Sequence, residues 1–204
     1  MNPKEYVKNV LITEAQDKTP MQTRMGELRN ARLIHSVLGL ASEIGEIREL
    51  ALKKFGEGDP EIDTVNLKEE MGDLFWYMGI SVDTLGLEPN QVFTDSSQDL
   101  THYGWKIERL NLEIDQMSIN IGNAVDLIKK TAIYGKELDV QKYASVLFAI
   151  SVNIETCLNM YGMTGDQARE RNIEKLRARY GEKFTEAAAL NRDLEKERKV
   201  LEAK

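Results

Sequence analysis

Apolar side chains recur every three or four residues along most of this chain. In residues 22–55 the recurring positions are Leu33, Val37, Leu40, Ile44, Ile47 and Ala51. In residues 63–85 they are Leu67, Met71, Leu74, Met78 and Leu85. Residues three or four apart share one face of a helix, whereas a strand would show strict alternation. The pattern therefore predicts an all-α fold.

Turn residues set the boundaries of the predicted helices. We predict helices at about 3–16, 22–55, 63–85, 105–133, 139–161, 165–180 and 182–203. Thr19-Pro20 separates the first two, because the residue before a proline avoids helical angles. Glycines and a proline at 56–60 predict a loop, and we expect residues 94–104 to be irregular. The last segment, rich in Ala, Glu, Lys and Arg, is expected to be exposed or to contact a partner.

The second half of the chain repeats features of the first half. Phe55-Gly56 followed by Asp63 parallels Tyr134-Gly135 followed by Asp139. We therefore predict an internal tandem duplication, with a catalytic half at 1–104 and a degenerate half at 105–204, which together form two domains or one compact bundle. With small gaps, four acidic residues of the first half align with uncharged residues of the second half: Glu43 and Glu46 with Asn120 and Asn123, and Glu70 and Asp73 with Val146 and Ala149.

Two pairs of carboxylates interrupt the apolar faces, Glu43 with Glu46 and Glu70 with Asp73. At about 100° per residue, the first member of each pair falls inside the apolar sector and the second at its edge. A carboxylate near a core is costly unless a positive charge neutralises it. Pairing with Lys or Arg is the alternative, and Lys54 reaches Glu43 only from a distant turn. We predict that these four carboxylates bind a hard divalent cation, Mg2+ first.

The neighbouring acidic and histidine residues are weaker candidates. Glu49 and Glu69 are expected to point to solvent, although Glu69 could also support the metal ligands. His35 lies on the flank of its helix and is expected to be packed or capping. The chain has only two histidines and no Glu-x-x-His, which disfavours a zinc site or a ferritin-like di-iron bundle.

Composition limits the classes of binding partner and the cellular compartment that we expect for this protein. The net charge of −7 argues against a nucleic-acid polymer, which needs a basic surface. The single cysteine, Cys157, lies in an apolar run and is expected to be a buried thiol in a reducing cytoplasm. No stretch reads as a signal peptide or as the roughly 20 apolar residues of a membrane span, so we predict a cytoplasmic protein without a membrane partner.

Basic and aromatic residues are open to two interpretations. Five basic residues could contact phosphates: Lys53, Lys54, Lys175, Arg177 and Arg179. Lys175 and Arg179 share a helix face at i,i+4. The alternative is a solvated surface. Four aromatic residues could stack on a base or could belong to the core: Trp76, Tyr77, Trp105 and Tyr134.

The pattern E-x-x-E, 23 residues, then E-x-x-D resembles the MazG-like all-α nucleoside triphosphate pyrophosphohydrolases, which include the dimeric dUTPases. The stretch from Arg32 to Glu46 resembles their first catalytic helix, and Asn66 to Tyr77 resembles the second. Residues 172–180, with N-x-x-K-L-x-x-R-Y, resemble the segment that follows the helical core. The likeness covers about 30–90 well and 165–190 moderately.

This resemblance implies a MazG-like helical bundle that cleaves a nucleoside triphosphate between its α and β phosphates. It implies Mg2+, for which Mn2+ can substitute, held by Glu43, Glu46, Glu70 and Asp73 as catalytic metal ligands. It also implies a homo-oligomer, most simply a dimer. Lys175 and Arg179 carry over as phosphate contacts. Two alternatives stay open: a non-catalytic helical interaction protein, and the same chemistry on a modified nucleotide or an alarmone.

Overall fold

The computed structural model describes residues 1–56, 62–94, 98–102, 104, 106–181, 183–191 and 193–202, with the side chains of 53–56 and 188 left out. The helices are α1 (Pro3–Thr13), α2 (Thr19–Gly26), α3 (Leu28–Gly56), α4 (Thr64–Leu85), α5 (Lys106–Ala132), α6 (Val140–Met160), α7 (Gly165–Tyr180), α8 (Glu186–Leu190) and α9 (Leu194–Glu202), with a 3-10 turn at Pro89–Gln91. These residues contain no strand, so the predicted all-α fold is confirmed.

Helices α3, α4, α5 and α6 form a bundle around one apolar core. Helix α3 packs against both α4 and α5, and α5 packs against α6. The α3–α4 pair is antiparallel. Ser36 on α3 contacts Ser81 on α4, and about two turns later along α3 Glu43 lies beside Glu70, which comes before Ser81 on α4. The α5–α6 pair has helices of similar lengths to those of the α3–α4 pair: α3 and α5 contain 29 and 27 residues, and α4 and α6 contain 22 and 21.

The second helix of each pair begins in the same way. Asp63 caps α4 by accepting hydrogen bonds from the Val65 and Asn66 amides, and Asp139 caps α6 by accepting one from Lys142. An aspartate side chain at this position satisfies amides that have no partner within the helix. Asp63 and Asp139 are also the aspartates that align when the two halves of the sequence are compared. The internal duplication and the division into two halves stay predictions.

Three helix boundaries differ from the sequence prediction. The helix predicted at 22–55 is divided at Glu27, which is extended at ψ 129°, and α2 begins at Thr19-Pro20 because a proline is tolerated in a first helical turn. The buried Asn30 holds this break by donating to the Arg24 carbonyl. The segment predicted as one helix at 182–203 contains α8 and α9, and Asp193 starts α9 by accepting from the Lys196 amide.

A buried chain of hydroxyls joins three helices of the bundle. Ser36 on α3 donates to the Tyr77 carbonyl at 2.8 Å and lies 2.7 Å from the Ser81 hydroxyl. Ser81 on α4 in turn lies 2.9 Å from the Tyr143 hydroxyl on α6. Because buried polar groups need partners, this chain fixes the register of α3 against α4 close to the carboxylate pairs.

Helix α7 lies across α4, and α9 lies against α7. Close approach of α7 depends on Gly72, where an added Cβ would meet the Ala168 carbonyl and the Asn172 Cβ at 3.2 Å. Helix α9 is tied down by Arg198, whose Nη1 lies 3.1 Å from Asp63 Oδ2 and 2.7 Å from Asn66 Oδ1. The C-terminal segment is thereby anchored beside the second carboxylate helix.

Helix α6 is long and apolar enough to cross a membrane, by length and composition alone, and it is the one such helix in the described part of the chain. This differs from the sequence expectation that no stretch approaches a membrane span. Most of its apolar window, 61%, is buried inside the bundle, which is also typical of a core helix. Cys157 lies on this helix and is buried, as predicted.

Candidate metal centre

One cavity collects the acidic residues of α3 and α4. We name it the acidic cavity; it measures about 360 Å³ and also receives side chains from α7 and from the segment that follows α7. Its lining residues are His35, Glu43, Glu46, Glu69, Glu70, Asp73, Trp76, Tyr77, Leu176, Arg179, Tyr180, Phe184 and Ala189. All four carboxylates predicted as metal ligands therefore lie in one place.

Three of these four carboxylates form a compact triad. Glu43, Glu46 and Glu70 each offer an oxygen, and the three oxygens lie within 4.8 Å of one another. Glu43 is buried, Glu70 is half-buried and Glu46 is exposed, so on α3 the first member of the pair faces inward and the second lies at the edge, as the periodicity predicts. The triad is the one such acidic group among the residues the structure describes.

Burial and crowding raise the pKa of two members of the triad, Glu70 and Glu43. Burial, a hydrogen bond to Glu43 and the charges of Glu43, Glu46 and Asp73 raise the pKa of Glu70 to about 9. Burial also raises the pKa of Glu43, with further contributions from the charges of Asp73 and Glu46. Crowded carboxylates resist ionisation together, and a hard cation would relieve this repulsion. The donor set, oxygen atoms from three glutamates, fits Mg2+ or Mn2+.

Asp73 lies in the same cavity but has different partners. Lys175 on α7 approaches its two oxygens at 2.7 and 2.5 Å, and the Asn172 amide also donates to it. Lys175 is fully buried. Ion pairing, the alternative to metal binding in the sequence argument, is therefore realised for Asp73 in this structure, while Glu43 and Glu70 bind each other. Metal ligation by Asp73 stays a prediction.

Glu69 lies inside the cavity, so the expectation that it points to solvent is wrong. Its side chain is 14% exposed and its Oε1 lies 3.1 Å from Lys175 Nζ. Helix α7 covers the side of α4 that carries Glu69, which a single-helix projection treats as outward. A role for Glu69 in supporting the metal ligands, its second possibility in the sequence, stays a prediction.

Arg179 reaches the acidic cavity and is bound on one edge by Glu197. Its Nε and Nη2 donate to the two carboxylate oxygens of Glu197 on α9 at 2.8 and 2.5 Å. Glu197 is only 3% exposed. Of the two phosphate contacts predicted on α7, Arg179 therefore lines the cavity with an oriented guanidinium, whereas Lys175 is committed to Asp73 and Glu69.

Three aromatic rings form one wall of the cavity. The rings of Trp76 and Tyr77 meet edge to face with centroids 5.0 Å apart, and His35 lies 6.0 and 5.5 Å from them. Tyr77 fits only because residue 39 is glycine: an added Cβ there would lie 2.1 Å from the Tyr77 ring. His35 is exposed but packs against both rings, which is the packed alternative expected from the sequence, and Trp76 remains 38% exposed.

Other sequence candidates lie elsewhere or outside the described side chains. Lys53 and Lys54 are in the last turns of α3, and their side chains are outside the described part of the chain. Trp105 is likewise outside it, and Tyr134 is 70% exposed and does not line the acidic cavity. Sequence reasoning missed Asn172 and Glu197, which orient Asp73 and Arg179. Asn172 is the first residue of the N-x-x-K-L-x-x-R-Y segment, and that motif could have identified it as a site residue. No sequence motif identifies Glu197.

Comparisons with known protein families, with curated proteins and with solved structures find no match for this chain.

Proposed function

We propose that this chain is a Mg2+-dependent nucleoside triphosphate pyrophosphohydrolase of the MazG-like all-α type. It would cleave a ribo- or deoxyribonucleoside triphosphate between the α and β phosphates, giving a monophosphate and pyrophosphate. The observation that carries the proposal is the shared lining of one cavity: the triad Glu43, Glu46 and Glu70, the guanidinium of Arg179 and the exposed ring of Trp76. In a metal–nucleotide complex, the triad would bind the cation, the guanidinium would bind a phosphate and the ring would stack on the base.

The carboxylates would hold the cation. Glu43, Glu46 and Glu70 are the ligands that the geometry favours, with Asp73 as the predicted fourth. When bound, Mg2+ would offset the negative charge of the phosphate oxygens and of the transition state. Lys175 and Asn172 keep the Asp73 carboxylate beside the triad, since both contact it from α7.

The remaining residues bind and orient the substrate. Arg179 would donate to a non-bridging phosphate oxygen with the N–H groups that Glu197 does not use, because a guanidinium carries five donors. A water molecule would attack the α phosphorus as the bond from that phosphorus to the bridging oxygen breaks, and its proton would pass to a carboxylate. We assign this proton acceptor to Glu46 or Glu70.

The aromatic wall would take the base. Base–aromatic stacking tolerates every base, so Trp76 and its neighbours favour nucleotides as a class rather than one base. A modified nucleotide or an alarmone fits the same three elements and belongs to the same proposal. A cytoplasmic location and a homodimer, both predicted from the sequence, complete it.

A panel of common nucleotides with Mg2+, followed by separation of the products, tests the reaction. We expect monophosphate and pyrophosphate from the wild-type protein and a loss of at least 100-fold in turnover in Glu70→Gln. Glu49→Gln is the matched control, since Glu49 is exposed on α3 outside the acidic cavity. Release of inorganic phosphate and a diphosphate would contradict the cleavage position, and full activity of Glu70→Gln would contradict the site.

A non-catalytic interaction protein is the second candidate, favoured by one observation. Asp73 already has a buried cation, Lys175, as its counter-charge, as expected where a carboxylate is structural. Calorimetric titration with Mg2+ and Mn2+ separates the two functions. An interaction protein would bind neither ion specifically, whereas the enzyme would bind them through a site that Glu43→Gln and Glu70→Gln weaken.

A further inference from the structure

A second, smaller cavity lies between α4, α7 and α9. It measures about 190 Å³, and three cations line it: Lys68 on α4, and Arg171 and Lys175 on α7. We name it the basic pocket. Its volume is below the 300 Å³ or more of pockets that hold drug-sized ligands, so an occupant would be a small ion or group.

Lys68 and Arg171 belong to the lining of the same small cavity, so their like charges lie near each other. Neither makes an ion pair with a carboxylate in the described part of the chain. Arg171 donates from Nη1 to the Leu201 carbonyl at 3.1 Å, a neutral acceptor that leaves its charge uncompensated.

Two carboxylates also line the basic pocket, and each is paired with a different cation. Glu69 lies 3.1 Å from the buried Lys175, and Glu202 lies 2.6 Å from Arg198. These pairings leave Lys68 and Arg171 as the positive charges without a counter-ion beside the cavity. Holding two partly desolvated like charges together is unfavourable unless an anion joins them.

We propose that the basic pocket is a binding site for a phosphate-type oxyanion, with Lys68 and Arg171 as its ligands. Arginine presents a planar fork to two oxygens of a tetrahedral anion, and lysine adds a compact charge with three donors. Glu69 lines both this pocket and the acidic cavity, so the anion would lie on the far side of Glu69 from the carboxylate triad. The site does not depend on the proposed hydrolase activity.

The occupant could be a free inorganic anion or a phosphate group of a nucleotide held in the acidic cavity. Calorimetric titration of the protein in EDTA with inorganic phosphate, and separately with pyrophosphate, tests the first source without a metal. We expect binding that Lys68→Gln weakens about tenfold. Arg171→Lys keeps the charge and should weaken binding less than Arg171→Gln, which removes it.

Arg177→Gln is the matched control, since it removes an exposed cation from the same helix and should leave the affinity unchanged. A second titration with a nucleotide and Mg2+ tests the other source: an effect of Lys68→Gln confined to this titration supports the site and assigns it to a phosphate of the nucleotide. Equal affinities of wild type and Lys68→Gln in every titration, or no binding of any of these anions, would overturn the proposal. Folding of each variant is checked by circular dichroism and thermal melting.

Discussion

Glu197 binds Arg179 along the Nε–Nη2 edge of the guanidinium, at 2.8 and 2.5 Å, and joins α9 to the end of α7 that lines the acidic cavity. The side chains are 4% and 13% exposed, so the pair is largely removed from water. A two-point contact of this kind fixes the plane of the guanidinium. The C-terminal helix thus determines how an arginine faces a cavity built by α3 and α4.

Replacing Glu197 with Gln should lower the free energy of unfolding by about 3 kcal/mol, because removing one partner leaves a mostly buried charge uncompensated. Urea denaturation of wild type and variant measures this change. Glu202→Gln on the same helix breaks an exposed pair with Arg198 and should cost less than about 1 kcal/mol. Equal losses in the two variants would show that the burial of the Arg179 pair contributes nothing.

The stability of the metal-free protein should fall as pH rises. The pKa of Glu70 is raised to about 9 by burial and neighbouring carboxylates, while an unfolded glutamate titrates near 4.3. Stability is highest below the unfolded pKa and declines as pH rises towards 9, because the unfolded chain releases this proton while the folded chain keeps it. Melting temperatures in EDTA between pH 5 and 9 measure the decline.

Glu70→Gln should flatten this pH profile and raise the stability of the metal-free protein at pH 8 by about 1 kcal/mol, since Gln is neutral without taking up a proton on folding. Divalent cations should release protons on binding, so the affinity of the wild type for Mg2+ should rise with pH over the same range. A Mg2+ affinity independent of pH would mean that the cation does not replace the proton on the triad.

Lys175 should be required for stability as the counter-charge of Asp73 and Glu69. Lys175→Met leaves both carboxylates without this fully buried cation and should cost about 3 kcal/mol, within the range for broken buried pairs. Adding Asp73→Asn should recover part of the loss by removing one of the carboxylates. Chemical denaturation of the single and double variants measures this, and a double variant no more stable than Lys175→Met would contradict the pairing.

Trp76 should bind the substrate without a large role in folding. Trp76→Ala should raise KM about tenfold, the loss expected of one stacking contact, and Trp76→Phe should recover most of it. Steady-state kinetics with the fastest nucleotide of the panel measures both. Leu38→Ala is the control, since Leu38 is 62% exposed on α3 and outside the acidic cavity; an equal rise in KM there would remove the argument for stacking.

The inward position of the carboxylates could be predicted from helical periodicity. Glu43 and Glu70 could be placed on inward faces from the sequence because the position of a residue around its own helix depends only on local geometry. Two adjacent helices joined by a short connection then pack antiparallel, which puts both inward faces in one layer. The triad was therefore predictable, whereas the division of the long helix at Glu27 was not, since it depends on the buried Asn30.

Contacts between distant segments could not be read from the sequence. Lys175 and Asp73 are separated by 102 residues, and nothing in either helix alone says that α7 crosses α4 there. The same crossing, made possible by Gly72, turns Glu69 from an outward position into a lining residue. A periodic pattern reports which side of a helix is apolar, not which element covers its polar side.

The all-α class, the inward position of Glu43 and the acidic face that it forms with Glu46 follow from the order of residues alone, because the rotation per residue along a helix is fixed. The charges around that face depend on how distant helices pack. Packing gave Asp73 a buried lysine and Arg179 a buried glutamate, and it placed Lys68 and Arg171 in the lining of one cavity. Charge pairing depends on distances across the fold, and these are set only when α7 and α9 dock on α4.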